Sequence, residues 1–131
     1  MNPTPSFSVI VCSIDAGKFA QISAAYRRLL AGHRCEIIGI HDAASLAAGY
    51  NRGIQQASGD ILIFSHDDIL ILDPDFAAKV VHRLTHFDLL GFAGASKLVS
   101  DLWAGADLPF LHGVIAHAPA QSRQITLDVF G

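Results

Sequence analysis

Charge is scarce in this chain. Nine basic and twelve acidic side chains among 131 residues amount to 16%, against the roughly 25% usual for soluble proteins. Basic residues are the rarer sign and the net charge is −3, which excludes a nucleic-acid-binding surface built on phosphate attraction. Cysteine is nearly missing as well. Cys12 and Cys35 both sit in apolar segments and read as reduced, buried thiols, so a disulfide framework is excluded. No apolar run approaches the roughly 18–20 residues of a membrane span, because polar residues interrupt every stretch. Nor does a basic residue precede the first apolar run, which argues against a signal peptide and for a cytoplasmic chain. What is abundant is apolar side chain: 51% hydrophobic residues exclude disorder, and the length suits one domain spanning 1–131. So few charges cover little surface, so the chain is expected to form a homo-oligomer or to meet another part of a larger domain.

Short apolar runs alternate with stretches of helical period. Phe7-Ser8-Val9-Ile10-Val11-Cys12 reads as a buried strand. Residues 18–30 carry Phe19, Ile22, Tyr26, Leu29 and Leu30 on one helical face, closed by Gly32. Cys35-Glu36-Ile37-Ile38-Gly39-Ile40 is a second strand. Ser45 caps a second helix with the stripe Leu46, Tyr50, Ile54 and Ala57, stopped at Gly59. The continuously apolar Ile61-Leu62-Ile63-Phe64 reads as a central strand buried on both faces. Asp73-Pro74 starts a third helix, whose stripe is Phe76, Val80, Leu84 and Phe87. Residues 89–95 form a fourth apolar run. The order predicts an α/β fold, a mostly parallel Rossmann-like sheet with helices on both faces. Beyond Ser96, Trp103, Gly105, Pro109, Gly113 and Pro119 punctuate pieces without a clear period.

Ligands of such sheets bind beyond the carboxyl ends of the strands, here 13–17, 41–44 and 65–68. The strongest feature is Ser65-His66-Asp67-Asp68. Two adjacent carboxylates at a strand end are costly without a cation or donors, and no lysine or arginine lies between Arg52 and Lys79. An external cation is the expectation, and oxygen ligands with one imidazole suit Mg²⁺ or Mn²⁺. A solvated turn before a capped helix is the plainer alternative. Asp15 and His41-Asp42 follow the other two strands, bringing acidic groups to three neighbouring ends. Tyr50-Asn51-Arg52-Gly53 places two poor helix formers inside a helix, either for packing Gly53 against the sheet or for letting Arg52 reach a phosphate or the Asp67-Asp68 carboxylates. Asp60 and Asp73 read as turn and cap residues, and His33, His82 and His86 as surface helix residues. His112 and His117 are weaker ligand candidates, and Trp103 fits a core better than a cleft.

Three stretches carry a resemblance. They are Ser8-Val9-Ile10-Val11, then the run from Ser45 through Asn51-Arg52-Gly53-Ile54, then Ala57-Ser58-Gly59-Asp60 with its strand and Ser65-His66-Asp67-Asp68. Together they resemble the family 2 glycosyltransferases, of GT-A fold, over about 7–95. The resemblance implies transfer of a sugar from a UDP- or GDP-linked donor to a glycan, lipid or other hydroxyl acceptor, with inversion. It implies a nucleotide lying against Ser13, Asp15, Asp42, Asn51, Arg52 and Asp67. It also implies a divalent cation on Asp68, with Asp67 or His66 assisting. His66 stands where many members carry an aspartate, and no residue after Ser100 matches the family's general base. The chain is thus expected to be a nucleotide-sugar-binding half without its acceptor half.

The sequence leaves two other readings open, besides a catalytically inactive nucleotide-binding module. A receiver-like Mg²⁺-binding signalling domain would use Asp67 or Asp68 with Ser96-Lys97, although no acidic pair follows the first strand. A metal-dependent phosphohydrolase would need Asp15 as its nucleophile.

Overall fold

The structure, a computed structural model, describes residues 4–102, 105–117 and 126–130. The chain divides into two compact units, the first ending at His86 and the second beginning at Phe87.

The first unit runs β1 (Phe7–Cys12), α1 (Ala16–Leu29), β2 (Cys35–Ile40), α2 (Leu46–Gln56), β3 (Ile61–Ser65) and α3 (Phe76–Leu84). Its strands form a parallel sheet in the order β2-β1-β3, with Phe7 opposite both Cys35 and Ile61. Strand alternation gives β1 two inner faces. Phe7, Val9 and Val11 on one side share a core with Ile22, Tyr26 and Leu30 from α1 and its cap, and with Phe76 of α3. Ile10 and Cys12 on the other side meet α2 at Gly53 and Gly49. Helices therefore cover both faces, as an α/β chain requires. Burying each large apolar side chain of β1 contributes about 1.5–3 kcal/mol.

Several local expectations are corrected. The middle strand is β1, and β3 is an edge strand of this sheet. Its burial alternates, with Leu62 38% and Phe64 45% exposed, because the α1–α3 face covers Ile61 and Ile63 more completely. In α2 the sheet-facing residues are Gly49 and Gly53, while Leu46 and Ile54 are exposed. A stripe of glycines packs closer than a stripe of leucines, so the helix turned its small side inward. Ser45 does cap α2, its hydroxyl accepting from the Ala48 amide at 3.1 Å. Asp73 does not cap α3 directly. It accepts from the Asp75 amide at 2.9 Å and pairs with Lys79 at 2.6 Å, and the helix begins at Phe76. His33 lies beyond α1 and is half-buried, its Nδ1 2.9 Å from the Pro5 carbonyl and its ring in a T-shaped contact with Phe7. A carbonyl only accepts, so Nδ1 is the donor.

At the amino ends of the strands, side chains latch the sheet together. One Glu36 oxygen accepts from the Ser8 hydroxyl at 2.5 Å and from the Ser58 amide at 2.6 Å. Asp60 accepts from the amide and the hydroxyl of Ser6 at 2.9 and 2.7 Å.

The second unit contains β4 (Ala93–Ala95), a 3-10 turn (Leu108–Phe110), β5 (Leu111–His117) and β6 (Thr126–Phe130). They form an antiparallel sheet in the order β4-β5-β6. The fourth apolar run was expected to extend the parallel sheet over 89–95. Only three residues of it are strand, and they pair antiparallel with β5, since Gly91 and Gly94 weaken a longer strand. Trp103 and Pro119 lie outside the described residues. No helix among the described residues is long and apolar enough to cross a membrane.

Candidate functional site

The parallel sheet brings three loop starts to one edge: Ser13 after β1, His41-Asp42 after β2 and His66-Asp67-Asp68 after β3. Ser13 prolongs the ladder by one residue, its amide donating to the Ile40 carbonyl at 3.0 Å. Its hydroxyl has one proton and two oxygens in reach, Asp67 Oδ2 at 2.5 Å and the Asp15 carbonyl at 3.0 Å. The carboxylate is the stronger acceptor, so the proton goes to Asp67. Residues 54 apart in sequence are joined here across two strand ends.

His41 Nδ1 lies 2.8 Å from the Ser13 carbonyl, which ties the end of β2 to the same loop. The Tyr50 hydroxyl donates to the Ser65 carbonyl at 3.2 Å, and its ring packs edge-on to Phe64, so α2 holds the end of β3. Burial pushes the Tyr50 phenol up from its ordinary value, which keeps it a donor.

Each expected residue has a definite place. Asp15 caps α1, accepting from the Lys18 amide at 2.9 Å, and that bond holds its carboxyl below the ordinary value. Asp42 pairs with Arg52 at 2.9 Å, both side chains being well exposed. Arg52, expected to reach a phosphate or the Asp67-Asp68 carboxylates, pairs with Asp42 instead, because helical side chains lean toward the helix amino end, where Asp42 lies. Asn51 is exposed with no hydrogen bond among the described residues. Asp67 is half-buried on Ser13, whereas the side chains of His66 and Asp68 are exposed and without a partner among the described residues. Burial raises the Cys12 and Cys35 thiols, so both remain protonated packing groups.

Among the described residues no three or more His, Cys, Asp and Glu side chains converge as a metal cage. Mg²⁺ and Mn²⁺ do not need one, since one or two carboxylates plus substrate phosphates complete their shell. Asp68, a free exposed carboxylate beside the anchored Asp67, is a donor set of that kind. At the strand-end site Ser13 is buried, Asp67 half-buried, and His66 and Asp68 exposed. Two recesses lie elsewhere, one of about 440 Å³ against Phe92, Gly94, Ser96, His112 and Gly113, the other of about 100 Å³ near Ser6 and Glu36. In the first, His112 Nε2 stands 3.2 Å from Ser96 Oγ.

Position after a strand marks Ser13 and Asp67, but it does not reveal His41 as a tie between strands or Glu36 as a latch. A polar residue inside an apolar strand, as Glu36 is, was the available signal. The receiver-like reading needs Ser96-Lys97 at the end of a fourth parallel strand. That segment follows an antiparallel strand instead, with the Lys97 ammonium over the Phe110 ring.

The pattern of the glycosyltransferase-like family matches residues 8–125. No curated protein and no solved structure is matched. The matched span starts in β1 and takes in α2 with its two glycines, the Ser13–Asp67 junction and most of the second unit. The sequence resemblance and the α/β architecture therefore agree, and the chain belongs to the glycosyltransferase-like family, of the family 2 kind, with a transferase type of chemistry.

Proposed function

We propose that the chain moves a sugar from a nucleotide-diphospho-sugar, UDP- or GDP-linked, to an acceptor hydroxyl with inversion at the anomeric carbon. The observation that carries this reading is the Ser13–Asp67 hydrogen bond, which fixes one carboxylate at the strand ends and leaves Asp68 free beside it. Asp68 would hold Mg²⁺ or Mn²⁺, with Asp67 and His66 adjacent. When bound, such an ion supplies charge neutralisation for the departing diphosphate. The rest falls to the chain's own groups. Ser13, Asp15 and Asp42 line the side where base and ribose would rest, and Asn51 and Arg52 extend it along α2. Arg52 is already held by Asp42, so a phosphate would have to compete for its guanidinium. The acceptor is of hydroxyl type, a glycan or a lipid, and its general base is not among the residues assigned. The two unbridged cysteines support a cytoplasmic setting.

Calorimetry with UDP, GDP and their sugars, with and without Mn²⁺, tests the reading. Wild type should bind more tightly with the metal. Asp68→Ala should lose that metal-dependent part while unfolding at nearly the same temperature, because substitutions at exposed, unpartnered sites stay within about 0.5 kcal/mol. Equal binding by wild type and variant removes Asp68 from the site. Binding without any sugar release from the donor would favour an inactive nucleotide-binding module.

A further inference from the structure

We propose that His41 is a positioning residue for the strand-end site, donating its Nδ1–H to the Ser13 carbonyl and so fixing the loop from which Ser13 aims Asp67. The inference rests on the donor-binding reading above. Its first support is donor logic. The ring nitrogen lies 2.8 Å from a carbonyl oxygen, which can only accept. Nδ1 therefore carries the proton, and the tautomer is set by the backbone it holds.

The second support is the slot that holds the ring. The imidazole makes a T-shaped contact with the Phe19 ring, with centroids 4.8 Å apart and planes at 89°. Beneath it is Gly39, where an added Cβ would come within 2.6 Å of Nε2 and 2.7 Å of Phe19 Cζ. A glycine in β2 weakens the strand, and here it makes room for the imidazole. The third support is continuity. His41 leads from the end of β2 to the Ser13 carbonyl, and the Ser13 hydroxyl leads on to Asp67 after β3. Three strand ends are joined by two bonds, and the second terminates on a candidate ligand. A group hydrogen-bonded to a metal ligand, as Ser13 is to Asp67, typically matters roughly tenfold or more for affinity, and His41 acts through that group.

The test uses the full chain, with Mn²⁺ and UDP as the probes. Long-range proton–nitrogen spectra should show His41 as the Nδ1–H tautomer, and His41→Ala should weaken Mn²⁺-dependent UDP binding roughly tenfold. His41→Asn puts an amide N–H where Nδ1 stood and should restore most of the affinity. His41→Gln puts its amide near the Nε2 position and should not. Gly39→Ala, which displaces the ring without removing it, should behave as His41→Ala does. The Nε2–H tautomer, equal affinities for the Asn and Gln variants, or full affinity in the Ala variant would each overturn the proposal. If wild type itself binds no UDP with Mn²⁺, the donor reading falls and this one with it. Normal wild-type binding with an unaffected His41→Ala overturns the positioning role alone.

Discussion

Ser13 and Glu36 show how one hydroxyl or one carboxylate can hold distant parts of a parallel sheet. Removing the Ser13 hydroxyl leaves Asp67 half-buried without its donor. Ser13→Ala should cost about 1.5 kcal/mol in urea unfolding, the lower end for a hydrogen bond to a charged group. It should also weaken Mn²⁺-dependent UDP binding; unchanged binding would mean that Asp67 needs no orienting. Glu36 acts through acidity. The Ser8 hydroxyl first, and then the Ser58 amide, hold its carboxyl below the ordinary value. A depressed folded value adds stability that is fully present above the unfolded range, near pH 4.3, and is lost as pH falls through the folded value. Glu36→Gln should therefore be less stable than wild type at neutral pH, with the gap closing in acid, as thermal unfolding across a pH series would show. A constant gap would contradict this. Ser13, Asp67 and Asp68 were legible as strand-end residues because an α/β order dictates where ligands approach. The bond between Ser13 and Asp67 was not, since sequence carries no register between strands whose members lie 54 residues apart.

At the scale of elements, α2 is the clearest case of local preference yielding to packing. Gly53 sits inside the helix, where alanine would ordinarily be favoured by about 1 kcal/mol. A Cβ there would stand 2.2 Å from Ile10 Cγ2 and 3.2 Å from its Cβ, and Ile10 is fully buried in the middle strand. A β-branched neighbour at χ1 cannot swing aside cheaply. Overpacking of this kind costs about 1–3 kcal/mol, so Gly53→Ala should lower the melting temperature despite its better propensity. A rise would show that the close approach relaxes without cost. The first three strands and the presence of α1, α2 and α3 were legible from period and caps. The face of α2 was not, because an apolar stripe and a glycine stripe share one helix and only the width of the gap decides between them. Likewise the unbroken Ile61-Leu62-Ile63-Phe64 suggested a middle position, while pairing set β3 at the edge. Apolar continuity reports what a strand could bury, and topology decides what it does bury.

For the molecule as a whole, the scarcity of charge has a visible counterpart. Ile14, Leu70 and Leu72 in the first unit and Leu89, Phe92 and Leu98 in the second are each at least 70% exposed. Water is a poor neighbour for that much apolar surface, and association is the ordinary remedy. Light scattering after size exclusion should give a mass above 14.0 kDa that grows with concentration through the micromolar range. A constant 14.0 kDa would show that these side chains stay in water. Family membership and the α/β core were readable at this scale, whereas the antiparallel second unit was not, its run of residues 89–95 being broken by glycine. The Glu36 and Asp60 latches sit at one end of β1 and the Ser13–Asp67 junction at the other, about 17 Å apart for a strand of six residues. Handle and tool head are thus separate parts: a protein engineer could exchange the strand-end loops while the grip on the strands stays as it is.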